Sequence, residues 1–137
     1  MGQSMSYLID TDIIIYSIKG NSIVQQRFLQ NEHIPKAISV ISYGELLLGA
    51  KKSKNAGKNL AVVYRIKELF PIVAIDNAVI ETFSDIKAAM QRAGSPLDDM
   101  DLLIAATALT MNYTLVTSNE KHFLRIKGLK IENWSKG

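Results

Sequence analysis

Asp10, Glu45, Asp101 and Asn119 are polar residues that follow apolar runs or lie early in apolar helical segments, where an α/β protein exposes its chemistry. If the three carboxylates converge, they make an all-oxygen site. Such a site suits Mg²⁺ or Mn²⁺, which favour octahedral oxygen coordination, whereas zinc would call for His or Cys. A cation held this way acidifies a bound water and shields the charge of a phosphate, and the reaction this serves is phosphodiester hydrolysis. Asn119 would add a carbonyl oxygen or orient a water.

Each acid also has a competing structural duty. Asp10 is a natural N-cap for the helix after it, yet Asp12 could do the same work, leaving one carboxylate spare. Ser42 and Glu45 have capping-box spacing, which by itself accounts for Glu45. Asp98, Asp99 and Asp101 crowd the start of a helix, where the dipole favours acids but three in four positions repel one another. Asp98 and Asp101 are three apart and share a face, while Asp99 projects elsewhere. The two histidines, His33 near Pro35 and His122 in a late polar turn, read as surface residues and not as a paired acid and base. Gly44 and Gly49 fall inside a helical pattern, so no glycine-rich phosphate loop is present.

Lys51, Lys52, Lys54 and Lys58 cluster in a stretch without an acid between Glu45 and Glu68. They read either as a solvated helix end, whose cations complement the dipole, or as phosphate contacts together with Lys121, Arg125 and Lys127.

The elements that must position these residues follow from apolar patterning. Short apolar runs at Tyr7–Ile9, Ile38–Val40, Ile72–Ile75 and Thr114–Thr117 predict strands, with Lys130–Glu132 a fifth; the third reads as a strand covered on both faces. Helices are predicted after Asp10–Asp12, from Ser22, from Ser42 to Ala50, through Leu60 to Leu69, and over Ala78–Arg92 and Asp98–Met111. Strands alternating with helices indicate an α/β sandwich around a mostly parallel sheet. The 137 residues make one domain, 47% apolar and 21% charged, well away from the profile of a disordered chain. No cysteine is present, which excludes disulfides, thiolate metal sites and cysteine nucleophiles and suits a reducing compartment. The formal net charge of +3 permits a polyanionic partner without requiring one. No apolar run is long enough for a membrane span. Residues 1–5 lack the features of a secretory signal and are expected to be a disordered or non-native extension, with Met5 an alternative start; the domain is expected over 6–137.

Tyr7–Asp12, Ser39–Ala50, Asp101–Ala108, Leu115–Asn119 and the ending His122–Leu129 through Asn133-Trp134 together resemble the PIN-domain ribonucleases, particularly VapC-type toxins. The likeness runs in order over nearly the whole chain from Tyr7. It implies a three-layer α/β/α sandwich with a mostly parallel sheet and a cytoplasmic Mg²⁺- or Mn²⁺-dependent endoribonuclease acting on structured RNA, commonly tRNA. By motif position Asp10, Glu45 and Asp101 correspond to the family's metal-binding acids. Asn119 falls at a fourth, variable acidic position, Asp12 at a place more often filled by Asn, and Asp98 at an acid present in some members. The implied reaction is attack of an activated water on the phosphodiester, leaving a 5′-phosphate and a 3′-hydroxyl. The resemblance also implies a homodimer silenced by a VapB-type antitoxin whose tail covers the acidic pocket. Two alternatives compete. Leu8–Ile13 also fits the Asp-x-Asp of a haloacid-dehalogenase-type phosphatase with Asp10 as nucleophile, and a non-catalytic PIN-like binding domain would keep the fold alone.

Overall fold

The side chains of the first strand, β1 (Tyr7–Ile9), divide between the two faces of a sheet: Tyr7 and Ile9 enter one core and Leu8 the other. The same division holds in β2 (Lys36–Ser39), where Ile38 and Ala37 face opposite ways, and in β4 (Thr114–Val116), where Val116 and Leu115 do. The computed structural model describes residues 5–137. Of the expected N-terminal extension only Met5 is among them; the rest lies outside the described residues.

Two short edge strands, β3 (Ile72–Val73) and β5 (Ile131–Glu132), complete a sheet of order β3-β2-β1-β4-β5, and every neighbouring pair is parallel. Helices α1 (Thr11–Ile18), α2 (Ser22–Gln30), α3 (Val40–Lys52) and α4 (Ala56–Leu69) supply Ile13, Val24, Leu46 and Val63 to the core that holds Ile9 and Ile38. On the other face α5 (Asn77–Arg92), α6 (Asp99–Met111) and the single-turn α7 (Glu120–Phe123) bury Met90, Leu102 and Phe123 against Leu8 and Leu115. This is the expected three-layer α/β/α sandwich. It explains why the strands read as continuous apolar runs: both faces are covered. No helix among the described residues is long and apolar enough to cross a membrane.

Helix α6 is apolar nearly all round because it is a central helix of its layer, with Leu102 and Ile104 through Ala108 all buried. Asn112 ends it in the left-handed region at φ 56°, a conformation asparagine tolerates. At the C-terminus Trp134 is fully buried, edge-on to Tyr7 and Phe28 at ring separations of 5.1 and 5.0 Å. Glu132 accepts hydrogen bonds from the Trp134 indole and the Tyr7 hydroxyl, both at 3.0 Å, so the chain's end is locked to its first strand.

Several sequence expectations need correction: β2 runs Lys36–Ser39, not Ile38–Val40, and β4 ends at Val116, not Thr117. The third strand spans two residues, not Ile72–Ile75, and as an edge strand it is only half-buried. The helix expected from Ser42 begins at Val40, because the cap is Ser39, whose hydroxyl accepts from the Ser42 amide at 3.0 Å. Val40 is thus the first helical residue, not the last of a strand. Glu45 then lies a turn beyond the capping-box position, and its structural explanation disappears. The fifth strand starts at Ile131, not Lys130.

Candidate active site

The strand order sets where a site can form. The chain runs outward from β1 to β2 and β3, then returns to place β4 on the other side of β1, so the connections after β1 and β4 diverge. The crevice at that point is where α/β sheets bind ligands. Asp10 directly follows β1 and Thr117 directly follows β4, and they meet there: the Thr117 hydroxyl donates to Asp10 Oδ2 at 2.8 Å. The Asp10 amide in turn donates to the Val116 carbonyl at 2.9 Å.

From this pair, hydrogen bonds extend in both directions. Asp10 is the N-cap of α1, and its Oδ1 accepts from the Thr11 amide at 2.8 Å. The Thr11 hydroxyl donates to Glu45 Oε1 at 2.7 Å, joining α3 to the start of α1. On the other side the Asn119 amide donates to Thr117 Oγ1 at 3.0 Å, and the Asn119 side chain lies 2.8 Å from His122 Nδ1. The same ring nitrogen is 3.4 Å from Asp101 Oδ2. Glu45, Asp10 and Asp101, more than ninety positions apart at the extremes, thus belong to one continuous hydrogen-bonded arrangement.

Asp12 joins it beside Asp10. Its Oδ2 accepts from the Ser118 amide at 3.1 Å and from the Ser118 hydroxyl, while Oδ1 is buried with no hydrogen-bond partner. Asp98 is not brought in: it precedes α6 as an exposed N-cap residue without a side-chain capping bond. Asp99 pairs with Lys87 at 2.8 Å on the outer surface.

Charge at this edge is in excess. Asp10 is 7% exposed, and burial pushes its carboxyl up to about 7, with repulsion from Asp12 and, less, from Asp101 adding to the rise. The Thr117 hydroxyl and the Thr11 amide act the other way, stabilising the anion. The donor set fits a hard cation: it is all oxygen, it includes an orphaned buried carboxylate atom, and it holds an acid that neighbouring acids make harder to ionise. Among the described residues no three His, Asp or Glu side chains stand in a geometry that closes on a metal. They line one edge, with Glu45 turned to Thr11, Asp12 to Ser118 and Asp101 towards His122.

Sequence reasoning missed four participants: Thr11, Thr117, Ser118 and His122. Thr117 directly follows β4, Ser118 comes next, and Thr11 follows the cap Asp10 after β1, so all three lie within two residues of a strand's carboxyl end, the position that should have drawn notice. His122 does lie at the surface, as its surroundings suggested, with 47% of its side chain exposed; its contact with Asp101 is tertiary and leaves no trace in either local sequence.

Lys51 and Lys52 are exposed in the last turn of α3, with Lys54 just beyond. Lys51 is six positions after Glu45, about 9 Å along the helix. On the opposite side Lys121 is exposed on α7, and Arg125 Nη1 donates to Ser95 Oγ at 2.6 Å, bracing the α5–α6 loop. Beside Glu45 an open groove of about 450 Å³ runs between α1, α3 and α4, lined by Ile15, Ile18, Leu46 and Val62 with Lys19 at its margin.

Comparison with known proteins identifies the family. The PIN domain family matches residues 7–129. The tRNA(fMet)-specific endonuclease VapC of Shigella flexneri is 33% identical over 132 residues, covering 96% of this chain and 99% of its own. Ribonuclease VapC1 of Methanocaldococcus jannaschii is 40% identical over 126 residues, covering 90% and 85% respectively. Among solved structures, VapBC2 from Rickettsia felis bound to a DNA fragment from its promoter superposes with a TM-score of 0.89 at 30% identity, covering 95% of this chain and 99% of that one. VapBC from Salmonella typhimurium, also bound to DNA, gives 0.88 at 32% identity, covering 95% and 98%. With a family match over most of its length and relatives of this identity across it, the chain belongs to the PIN-domain family and is of the VapC type.

Proposed function

We propose that this protein is a Mg²⁺- or Mn²⁺-dependent endoribonuclease, the toxin of a VapBC-type pair, acting in the cytoplasm on structured RNA of the tRNA class. The observation that carries the reading is the continuous hydrogen bonding that gathers Asp10, Glu45 and Asp101 at the crevice between β1 and β4 in a VapC-type chain. That placement also favours it over the phosphatase alternative: Asp98 and Asp99 stand at the start of a helix after a loop, not at a strand end beside Asp10.

Asp10, Glu45 and Asp101 would hold the cation, which supplies charge neutralisation at the scissile phosphate and an acidified water as nucleophile. The chain's own groups set the geometry. Thr117 and the Thr11 amide fix the two oxygens of Asp10, and the Thr11 hydroxyl holds Glu45 on the same side. Asp12, anchored by Ser118, keeps a second carboxylate within electrostatic reach of Asp10. In the net reaction water oxygen bonds to phosphorus as the bond from phosphorus to the 3′ oxygen breaks, and a proton passes to that leaving oxygen. Lys51, Lys52, Lys54, Lys121 and Arg125 would contact phosphates on either side of the acids.

The test is cleavage of purified tRNA by the wild type and by Asp10→Asn and Asp101→Asn in Mg²⁺ or Mn²⁺. Loss of cleavage by at least two orders of magnitude with an unchanged circular dichroism spectrum is expected. Full activity in both variants overturns the metal-site assignment. Rapid hydrolysis of a small phosphoester with no RNA cleavage restores the phosphatase.

The solved VapBC complexes support the partner reading. The apolar groove beside Glu45 suits an amphipathic segment of an antitoxin whose continuation covers the acids. Co-expression with the product of a neighbouring antitoxin-like reading frame is expected to yield a stable complex without nuclease activity. An active complex would separate binding from inhibition. Self-association as a homodimer belongs to the same proposal and is read by light scattering of the isolated chain.

A further inference from the structure

His122 is the one imidazole near the acids, and what holds it there is structural. Its neighbour Phe123 is fully buried in the core beneath α7, and the His122 amide donates to the Asn119 carbonyl at 3.3 Å, so the turn carrying the ring is anchored from below and at its start. The ring itself stays half-exposed at the site mouth, with only Nδ1 turned inward.

Nδ1 has two neighbours that make opposite demands. The Asn119 amide is 2.8 Å away and Asp101 Oδ2 is 3.4 Å away. If Nδ1 accepted a bond from the Asn119 amide nitrogen, its lone pair would face the carboxylate oxygen, lone pair to lone pair. An amide's oxygen and nitrogen fill nearly the same space, so Asn119 can equally present Oδ1. Nδ1 then carries the hydrogen and shares it in a three-centre bond, its main arm to Asn119 Oδ1 and its longer arm to Asp101 Oδ2, so that neither acceptor faces a lone pair. Nε2 is left as an acceptor facing solvent.

From this geometry we infer that His122 is a positioning residue: as the Nδ1–H tautomer, shared with Asn119, it fixes the orientation of the Asp101 carboxylate and couples it through Thr117 to Asp10. This deepens the nuclease reading and rests on it for its functional consequence, but the tautomer and the hold on Asp101 stand on contacts alone. The segment from Thr117 into α7 is then one clamp, in which Thr117 holds Asp10, Ser118 holds Asp12 and His122 holds Asp101. It also gives Asn119, at the family's variable acidic position, a role as orienting partner of the ring.

Side-chain amides distinguish the two ring nitrogens, since Asn places its nitrogen near the position of Nδ1 and Gln near that of Nε2. The full-length wild type, His122→Ala, His122→Asn and His122→Gln are compared by steady-state tRNA cleavage, by Mn²⁺ dissociation constants and by thermal melting. Expected for His122→Ala is a fall of about tenfold or more in kcat and a weakening of Mn²⁺ binding of similar size, with KM for RNA within about twofold. His122→Asn recovers most of both and His122→Gln does not, while melting temperatures stay together. Nitrogen-15 shifts of the wild-type ring at pH 8 report the Nδ1–H tautomer, and Asp101→Asn changes them.

Recovery by Gln but not Asn, with the loss in KM, overturns the inference and makes Nε2 an RNA contact. An Nε2–H tautomer in the wild type, or His122→Ala with unchanged kcat and Mn²⁺ affinity, also overturns it. If the wild type cleaves no RNA, the nuclease reading fails by itself, and the tautomer and Mn²⁺ measurements still decide whether His122 holds Asp101.

Discussion

A buried carboxyl that its neighbours push towards neutrality costs stability when it ionises, and Asp10 is that residue here. Its pKa in the folded chain is raised from 3.8 to about 7. Below the lower value both folded and unfolded chains carry the proton, and the fold has its full stability. As pH rises between the two values the unfolded chain ionises first, so stability falls; above about pH 7 the loss is complete, with an upper bound of about 4 kcal/mol. In metal-free buffer the wild type is therefore expected to melt at lower temperature at pH 8 than at pH 5. Asp10→Asn flattens that slope and at pH 8 is the more stable protein, although inactive. Added Mn²⁺ raises the melting temperature of the wild type more than that of the variant. Parallel melting-versus-pH curves for the two would remove Asp10 as the source. The residue types of this site were legible because Asp10, Glu45 and Asp101 each sit at a position where chemistry collects. The links between them were not, since the Thr11–Glu45, Asp12–Ser118 and Asp101–His122 contacts join residues 34, 106 and 21 positions apart.

Positioning at the next scale is a matter of where elements begin. The start of α3 decides which turn carries Glu45, and two serines three residues apart both qualify as its cap. Periodicity could not choose between them, because the apolar face of Tyr43, Leu46, Leu47 and Ala50 is the same for either start. The structure selects Ser39, which is fully buried at the end of β2 with its hydroxyl on the Ser42 amide. Ser39→Ala is expected to cost about 1 kcal/mol by chemical denaturation, the usual value of a lost N-cap. RNA cleavage should survive, because the remaining turns of α3 are held by Leu46 and Ala50 in the core. A Ser42→Ala loss larger than that of Ser39→Ala would return the cap to Ser42. Strands were legible in place where both faces are covered, since an apolar run is then the only pattern available: Tyr7–Ile9 to the residue, Thr114–Thr117 one residue too long, and Ile38–Val40 displaced from Lys36–Ser39. They were misread at the edge: Ile72–Ile75 is as apolar as β1, but with one neighbour its ladder ends after Val73.

At the scale of the whole molecule, a net charge of +3 conceals two regions of opposite sign. Asp10, Asp12, Glu45 and Asp101 concentrate negative charge at one crevice, which by itself repels a polyanion. A cation in the crevice cancels part of that field, and lysines on the adjoining surfaces supply the rest of the attraction. Lys51, Lys52 and Lys54 are exposed and follow Glu45 along the same helix and the turn after it, so RNA reaching the acids passes within range of them. If they contact phosphates, each contact releases a counterion, and binding weakens with salt in proportion to the number made. Replacing all three by Glu in a chain that also carries Asp101→Asn, so that substrate is bound and not cut, is expected to weaken tRNA binding at least tenfold at moderate salt. The slope of log affinity against log salt should flatten by about two to three contacts' worth. Because these side chains lie at a helix end where cations also complement the dipole, stability has to be read in the same variants. A melting temperature that falls while affinity and salt slope stay unchanged assigns the lysines to the helix. Weaker binding with a flatter slope assigns them to the RNA.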